Sequence, residues 1–399
     1  MAYSPESNGF IGTGSSRRRL GSSRKGGRMA KADFYRVGGL IVVLFFFFYI
    51  TRSSGYSFMA APNISGKQTT NLRGQCRTVW CMSKMDNIQF GVVADLDRMS
   101  KVADSKKPQW KSYFKHGSLV KTGDAASNGE PVWSIQWEDD IEMRSAVGEA
   151  GRGFELSELV SWQNKLWTFD DRTGLVYEVN KKHQCIPKHI LMEGDGENTK
   201  GQKTEWATVK DGKLYVGSFG KVFTNTAHEI VSTNNLWVSI LDSNGDQTHE
   251  DWTVYYRKMQ EATNSQHPGY MIHEAIHWDE INRLWYVLPR RVSHEEYDEK
   301  KDETMGSNLL LTFNEDFSQL ISKKEIGKLE RTHGWSSFKF VPWTGNKVIL
   351  GLRTMEVEDK ATGDAEQKTF ITLFDVEGNV FLPEQQIPGD YKFEGLEFL

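Results

Sequence analysis

From residue 150 to the C-terminus, apolar and polar positions alternate in short runs separated by turn residues. In residues 151–179, polar Ser157 leads a run containing Leu159, Val160 and Trp162, and Gln163-Asn164 marks a turn. Residues 166–169 form a second run, followed by Asp170-Asp171-Arg172 and a Thr-Gly turn into a third. Side chains two apart share one face of a strand, so this spacing predicts a β-meander. The unit recurs. Glu205 leads 206–209, turns at Asp211-Gly212 and returns through 214–216; Glu274 leads 275–278 and returns through 284–287. Ser336 leads 337–341, turns at 344–346 and returns through 348–350. Glu394 opens a fifth copy at the point where the chain stops, and its missing partner is available in residues 90–94. Five copies, the last completed by the first strand, predict an all-β, five-bladed β-propeller closed by its N- and C-terminal strands.

The chain before the repeats has a different character. Residues 1–36 hold Arg17, Arg18, Arg19, Arg24, Lys25, Arg28 and Lys31 among Ser and Gly, the composition of a disordered cytoplasmic tail. Residues 37–51 are uncharged and include four consecutive Phe. As a helix this run would span about 22 Å, short for a hydrocarbon core of about 30 Å. Arg36 and Arg52 could snorkel outwards around an uncleaved signal anchor. A cleaved signal peptide, with Ser53 and Gly55 as small residues before the cut, is the alternative, and a buried core helix a third. The anchor is the expectation. The basic flank then places the tail in the cytoplasm and residues 52–85 as a lumenal stalk before a propeller at 86–399. Asn63-Ile64-Ser65 is a glycosylation sequon in that stalk. Cys76, Cys81 and Cys185 are too few for a disulfide scaffold, and no Cys or His set has zinc spacing. A net charge of −4 argues against generic nucleic-acid binding.

In a ring of blades the first strands line the axis, so their leading polar residues converge. Those residues are Ser157, Glu205, Glu274, Ser336 and Glu394. All offer hard oxygen, which suits Ca²⁺ with its 6–8 flexible oxygen ligands better than Mg²⁺ or zinc. The plain alternative for any one of them is a polar residue at a strand start. The second strands return to the same edge and bring Asp95, Asp97, Asp170, Asp171, Arg172, Arg290 and Arg291, with Arg98, Lys221 and Arg353 beside them. Mixed acids and bases around a cation are what phosphoryl hydrolysis uses: arginine forks grip phosphate, and a carboxylate orients water. Taken singly, each acid–base pair could equally be a solvated salt bridge.

Other signals are weaker. Residues 242–246 begin like an EF-hand, but Gly245 falls at the fourth place instead of the sixth, so a hairpin turn is expected. Residues 193–196 also read as a turn. His273, His277 and His333 are taken as packing residues, and the Trp residues of the repeats as packing between blades.

The runs ADLD (94–97), GRGFELSEL (151–159), DDRTG (170–174), KTEWATVKD (203–211) and GYMIHE (269–274) carry a resemblance. LPRR (288–291), THGWSSFKF (332–340) and FEGLEF (393–398) extend it over most of the repeat region. The chain resembles the soluble calcium-activated nucleotidase (apyrase) family, shared by vertebrate Golgi and endoplasmic-reticulum enzymes and salivary apyrases of blood-feeding insects. The resemblance implies a five-bladed propeller with one Ca²⁺ in its tunnel, bound at Ser157, Glu205, Glu274, Ser336 and Glu394. It implies hydrolysis of nucleoside di- and triphosphates, UDP and GDP preferred, with Asp95, Asp97, Asp170, Asp171, Arg172, Lys203, Arg290 and Arg291 at the substrate mouth. The tail and hydrophobic run resemble the membrane-bound form, a single-pass type II protein of the Golgi or endoplasmic reticulum, although a secreted form is also open. A calcium-dependent homodimer is left open as well. The competing expectation is a non-catalytic propeller, stabilised by calcium, that binds a protein or glycan.

Overall fold

The computed structural model describes residues 87–399 apart from 104, 126–130 and 359–364. The tail, the hydrophobic run at 37–51, the stalk, Asn63, Cys76 and Cys81 lie outside the described residues. Among the described residues, no helix is long and apolar enough to cross a membrane.

Strands β1 (Asn87–Asp95), β2 (Trp110–Ala125) and β3 (Pro131–Ser145) open the domain. Next come β4 (Leu156–Trp162), β5 (Lys165–Asp170), β6 (Leu175–Val179) and β7 (Cys185–Ile190). Then follow β8 (Trp206–Lys210), β9 (Lys213–Gly217), the small hairpin β10 (Phe223–Thr224) and β11 (Ile230–Ser232), β12 (Trp237–Leu241) and β13 (Gln247–Asp251). The fourth group is β14 (Tyr270–Asp279), β15 (Leu284–Ser293), β16 (Leu309–Asn314) and β17 (Leu320–Glu325). The last is β18 (His333–Phe340), β19 (Val348–Glu358), β20 (Ala365–Asp375), β21 (Val380–Gln386) and β22 (Lys392–Phe398).

These strands form five four-stranded sheets, in the orders β22-β1-β2-β3, β4-β5-β6-β7, β8-β9-β12-β13, β14-β15-β16-β17 and β18-β19-β20-β21. Inner strands neighbour one another as β22, β4, β8, β14, β18 and back to β22. The molecule is a five-bladed β-propeller. Its ring is closed as the repeat count required: β22 pairs antiparallel with β1, Phe398 opposite Phe90 and Leu396 opposite Val92. Closure by the chain's own ends removes the open sheet edge that a linear array would leave.

The blades adhere through apolar layers set by the alternation. Trp206, Trp252, Trp278, Trp285 and Phe313 share one buried cluster between the third and fourth blades. Trp252 meets Trp285 edge to face at 5.1 Å, and Trp285 stacks on Phe317 at 5.6 Å. The Trp residues of the repeats therefore pack blades together, as the pattern implied. Residues 242–246 form the β12–β13 turn, closed by the Asp242 N–H donating to the Asp246 carbonyl at 3.0 Å. Cys185 is a free, half-buried thiol.

One glycine governs how tightly the ring closes. A Cβ at Gly395 in β22 would lie 2.6 Å from the Glu158 carbonyl carbon and 2.7 Å from the Leu159 nitrogen. Backbone cannot yield as a flexible side chain can. Gly395→Ala is expected to destabilise the domain by about 1–3 kcal/mol, the usual cost of overpacking. Urea unfolding of the two proteins measures it; equal midpoints would show that β22 and β4 can separate freely.

Candidate metal and phosphate site

Each inner strand is irregular where its polar residue sits. In β4, Leu156 pairs with Asp170 and Leu159 with Thr168, so Ser157 and Glu158 together face Phe169. In β14, His273 pairs with Pro289 and Ile276 with Val287, which doubles Glu274 and Ala275 against Leu288. Ser336 is the extra residue between Trp335–Arg353 and Ser337–Leu352, and Glu394 the extra one between Phe393–Ala94 and Gly395–Val93. Ahead of β8, Glu205 donates its N–H to the carbonyl of Gly217, the residue already paired with Trp206. Two residues opposing one make a β-bulge, which turns a side chain off the face that strict alternation would give it. The expectation that these residues begin their strands needs correction: Glu205 precedes its strand, but the other four lie inside theirs.

The bulges bring Glu205, Glu274 and Glu394 together, with one carboxylate oxygen of each lying within 4.8 Å of the others. All three are buried. Ser157 Oγ, also buried, donates to the Thr204 carbonyl at 2.6 Å, and Ser336 Oγ donates to the Phe393 carbonyl at 3.3 Å. Each hydroxyl proton is thus committed and its lone pairs remain for another partner. Three convergent buried carboxylates, which offer only oxygen, fit a hard divalent cation of the calcium type. Burial pushes Glu205 up to about 8, with Glu274 and Asp171 adding and Lys203 opposing. Glu394 is also raised, by burial first and then by its acidic neighbours, against Lys392. Without added positive charge these groups hold protons.

Basic side chains interleave with the acids. Lys203 Nζ bridges Asp171 and, at 2.6 Å, Glu205. Arg290 Nη1 donates to Glu274 at 2.7 Å and to Thr354 Oγ1, and lies 3.8 Å from Glu394. Lys392 Nζ is 2.7 Å from Asp95, 2.8 Å from Asp97, 3.5 Å from Glu394 and 3.7 Å from Glu356. Arg152 binds Glu155 and, at 3.1 Å, Asp97. Although burial opposes it, Asp97 is held well below the ordinary carboxylate range by Lys392 and Arg152. Among the described residues, ion pairs join Asp95, Asp97, Glu155, Asp171, Glu205, Glu274, Glu356 and Glu394 to Arg152, Lys203, Arg290 and Lys392, with Arg291 acting on Glu274 and Glu356 from further off. Eight acids against four bases leave room for a cation.

The expected substrate residues divide by what they touch. Asp170 accepts from the Phe154 N–H, the Arg172 N–H and Thr173 Oγ1, so it builds its own turn. Lys203 and Arg290 are committed to carboxylates, two of them in the proposed ligand set. Arg172 Nε, Arg291 Nε and Nη1, and Asp171 Oδ1 are instead buried without a hydrogen-bond partner. Arg353 spends Nη1 on Glu384 and Nη2 on the carbonyls of Ser307, Glu330 and His333, and its Nε is likewise buried without a partner. None of the three histidines joins the carboxylate groups. His273 is buried and pushed down to about 3 by that burial, while His277 Nδ1 lies 3.0 Å from Thr208 Oγ1. Sequence reasoning missed Arg152, Glu155, Glu356 and Lys392. Arg152 and Glu155 stand inside the GRGFELSEL run, and Lys392 directly precedes FEGLEF.

Residues 96–399 match the apyrase family. The chain belongs to that family. It is 40% identical over 312 residues to soluble calcium-activated nucleotidase 1 of Rattus norvegicus, covering 78% of this chain and 73% of the rat protein. It is 39% identical over 315 residues to an apyrase of Cimex lectularius, covering 78% of this chain and 82% of the insect protein. Apyrase apy-1 of Caenorhabditis elegans is 36% identical over 309 residues, covering 77% and 83%. Membership of the apyrase family, with relatives named nucleotidase and apyrase, supports hydrolysis of nucleotide phosphates.

The buried acids make stability depend on pH in a definite direction. Glu205 titrates near 8 in the folded chain against an ordinary 4.5, so between those values the folded state binds more protons than the unfolded one. Stability contributed by that proton is complete at low pH and is lost as pH rises. Buried histidines act oppositely, but only below their ordinary 6.5. From about pH 6.5 to 8 the melting temperature of the metal-free protein should therefore fall, and calcium should restore more of it at the upper end. A melting temperature that rises across this window, measured in EGTA, would contradict the proposed crowding of acids.

Proposed function

We propose that the chain is a Ca²⁺-dependent hydrolase of the terminal phosphate of nucleoside diphosphates such as UDP and GDP, and of triphosphates. The observation that carries this reading is the convergence of three buried carboxylates in a network of acids and bases, with donors that make no hydrogen bond on Arg172 and Arg291, the chain neighbours of Asp171 and Arg290 in that network. Ser157, Glu205, Glu274, Ser336 and Glu394 would hold the ion, which when bound supplies a Lewis acid for phosphate oxygens. Lys203, Arg290 and Lys392 hold the surrounding acids in place through ion pairs. Arg172 and Arg291 donate to phosphate oxygens as charge grows on them. Asp171, fixed through Oδ2 by Lys203, turns its unpartnered Oδ1 to the attacking water. Asp95 and Asp97, tied to Lys392, shape that wall of the site. No activated Ser, Cys or His stands in the arrangement, so attack by water on the terminal phosphorus proceeds without a phosphoenzyme.

Localisation belongs to the same reading. The basic tail and the apolar run at 37–51 suit a signal anchor, with the propeller in the lumen of the Golgi or endoplasmic reticulum. Carbonate extraction of the expressed protein and its glycosidase sensitivity at Asn63 check this. A mature N-terminus near residue 56 would replace the anchor by a cleaved signal.

The activity is tested by phosphate release from UDP, with calcium and with EGTA. Asp171→Asn should lower kcat by about 10²-fold or more, as loss of a positioned acid–base group does, while the calcium-induced rise in melting temperature persists. Glu205→Gln should weaken that rise. No phosphate release by the calcium-loaded wild type would favour the non-catalytic, partner-binding propeller.

A further inference from the structure

The mouth is electrically lopsided. At the axis every basic group described above is engaged by carboxylates that outnumber it. On the side of the third and fourth blades the balance reverses. Lys221, on the loop after β9, is buried, yet the structure gives Nζ one hydrogen bond, to the neighbouring Val222 carbonyl at 3.2 Å. Among the described residues no carboxylate oxygen comes within 4.0 Å of Nζ; it sits 4.0 Å from the ring centre of Tyr297 and 6.0 Å from that of Phe219. Arg291, 3% exposed, leaves Nε and Nη1 without hydrogen bonds.

Asp302 acts on both cations. Asp302 Oδ2 lies 3.6 Å from Arg291 Nε, outside hydrogen-bond reach, and Asp302 is the acid whose charge offsets the burial of Lys221. Its other oxygen accepts from Tyr270 O–H at 2.7 Å. Burial and the adjacent Arg290 push the Arg291 guanidinium down to about 10. Space beside this arginine is kept open by Gly334, where a Cβ would stand 2.9 Å from Arg291 Nη1 and 2.4 Å from Arg290 Cγ. A stable interior pairs its charges, because burying an unpaired ion costs several kcal/mol. Two buried cations with unused donors, neither within hydrogen-bond reach of a carboxylate among the described residues, are organised for an anion that arrives from outside.

Resting on the nucleotidase reading, we propose that Lys221 and Arg291 form the subsite for the inner phosphate, the one that departs with the nucleoside. The terminal phosphate then lies over the acidic axis, and the nucleoside points across the third and fourth blades towards Phe219 and Tyr297. In the reaction the water oxygen bonds to the terminal phosphorus as the bond from that phosphorus to the bridging oxygen breaks. Its electron pair stays on the bridging oxygen of the nucleoside monophosphate, and the water proton passes to Asp171. Negative charge therefore grows on the departing group. Lys221 and Arg291 meet it there, as cationic donors placed where charge develops. Tyr297 holds the Lys221 ammonium by its ring face without neutralising it.

The test is direct binding of UMP and of inorganic phosphate to the calcium-loaded full chain by calorimetry, alongside UDP kinetics. Lys221→Met should weaken UMP binding about tenfold or more, the usual worth of one charge-assisted hydrogen bond. It should also lower kcat for UDP, yet leave inorganic phosphate binding and the calcium requirement unchanged. Its melting temperature should not fall, since an unpaired buried charge has been removed. Lys221→Arg should retain most UMP affinity. Unchanged UMP binding in Lys221→Met, or equal loss of UMP and phosphate binding, would overturn the assignment. A wild type that binds UMP in this way but hydrolyses no UDP would instead refute the catalytic reading and leave the subsite standing.

Discussion

Mutual repulsion among Glu205, Glu274 and Glu394 is the constraint around which the molecule is arranged. Three carboxylates cannot share a small buried volume while ionised unless positive charge stands among them. A ring of five blades provides that volume, because each blade delivers one side chain to the axis. The bulges then determine which side chain is delivered, and Gly395 lets β22 come close enough to β4 for the ring to close. Fold and site are therefore one problem: the irregularities that interrupt strand pairing are the features that create the metal-binding geometry.

The basic residues gain their meaning from that repulsion. Lys203, Arg290 and Lys392 moderate the acids without matching them in number, so the axis keeps an excess of acidic groups that can ionise onto a divalent ion. Arg290 illustrates how position changes role. Its place in an Arg-Arg pair at a strand end suggests a phosphate clamp, but its bonds to Glu274 and Thr354 make it a support for the carboxylates. Arg291, its neighbour, makes no hydrogen bond through Nε or Nη1.

Much of the fold was legible because period-two alternation and turn residues repeat locally, and because the fifth copy stops where a partner strand was needed. The convergence of Glu205, Glu274 and Glu394 was legible for the same reason. Their placement at strand starts was not, since a bulge leaves no period of its own. Its only trace is a break in alternation, such as Ser336-Ser337 or Ser157-Glu158. Long-range pairing was the other hidden quantity. Lys392 meets Asp95 and Asp97 only because β22 lies beside β1, from the opposite end of the chain. Asp170 looked like a free acid and proved to be the acceptor that ties its own turn, which depends on backbone N–H directions that residue type does not reveal.

Burial leaves Glu205 and Glu394 holding protons that a bound cation must displace. Calcium titration by calorimetry near pH 7, repeated in buffers of different ionisation enthalpy, counts the protons released on binding. One calcium per chain with net proton release, and loss of that release in Glu205→Gln, is the predicted result. Binding of one calcium with no proton released, or no saturable binding at all, would contradict the account.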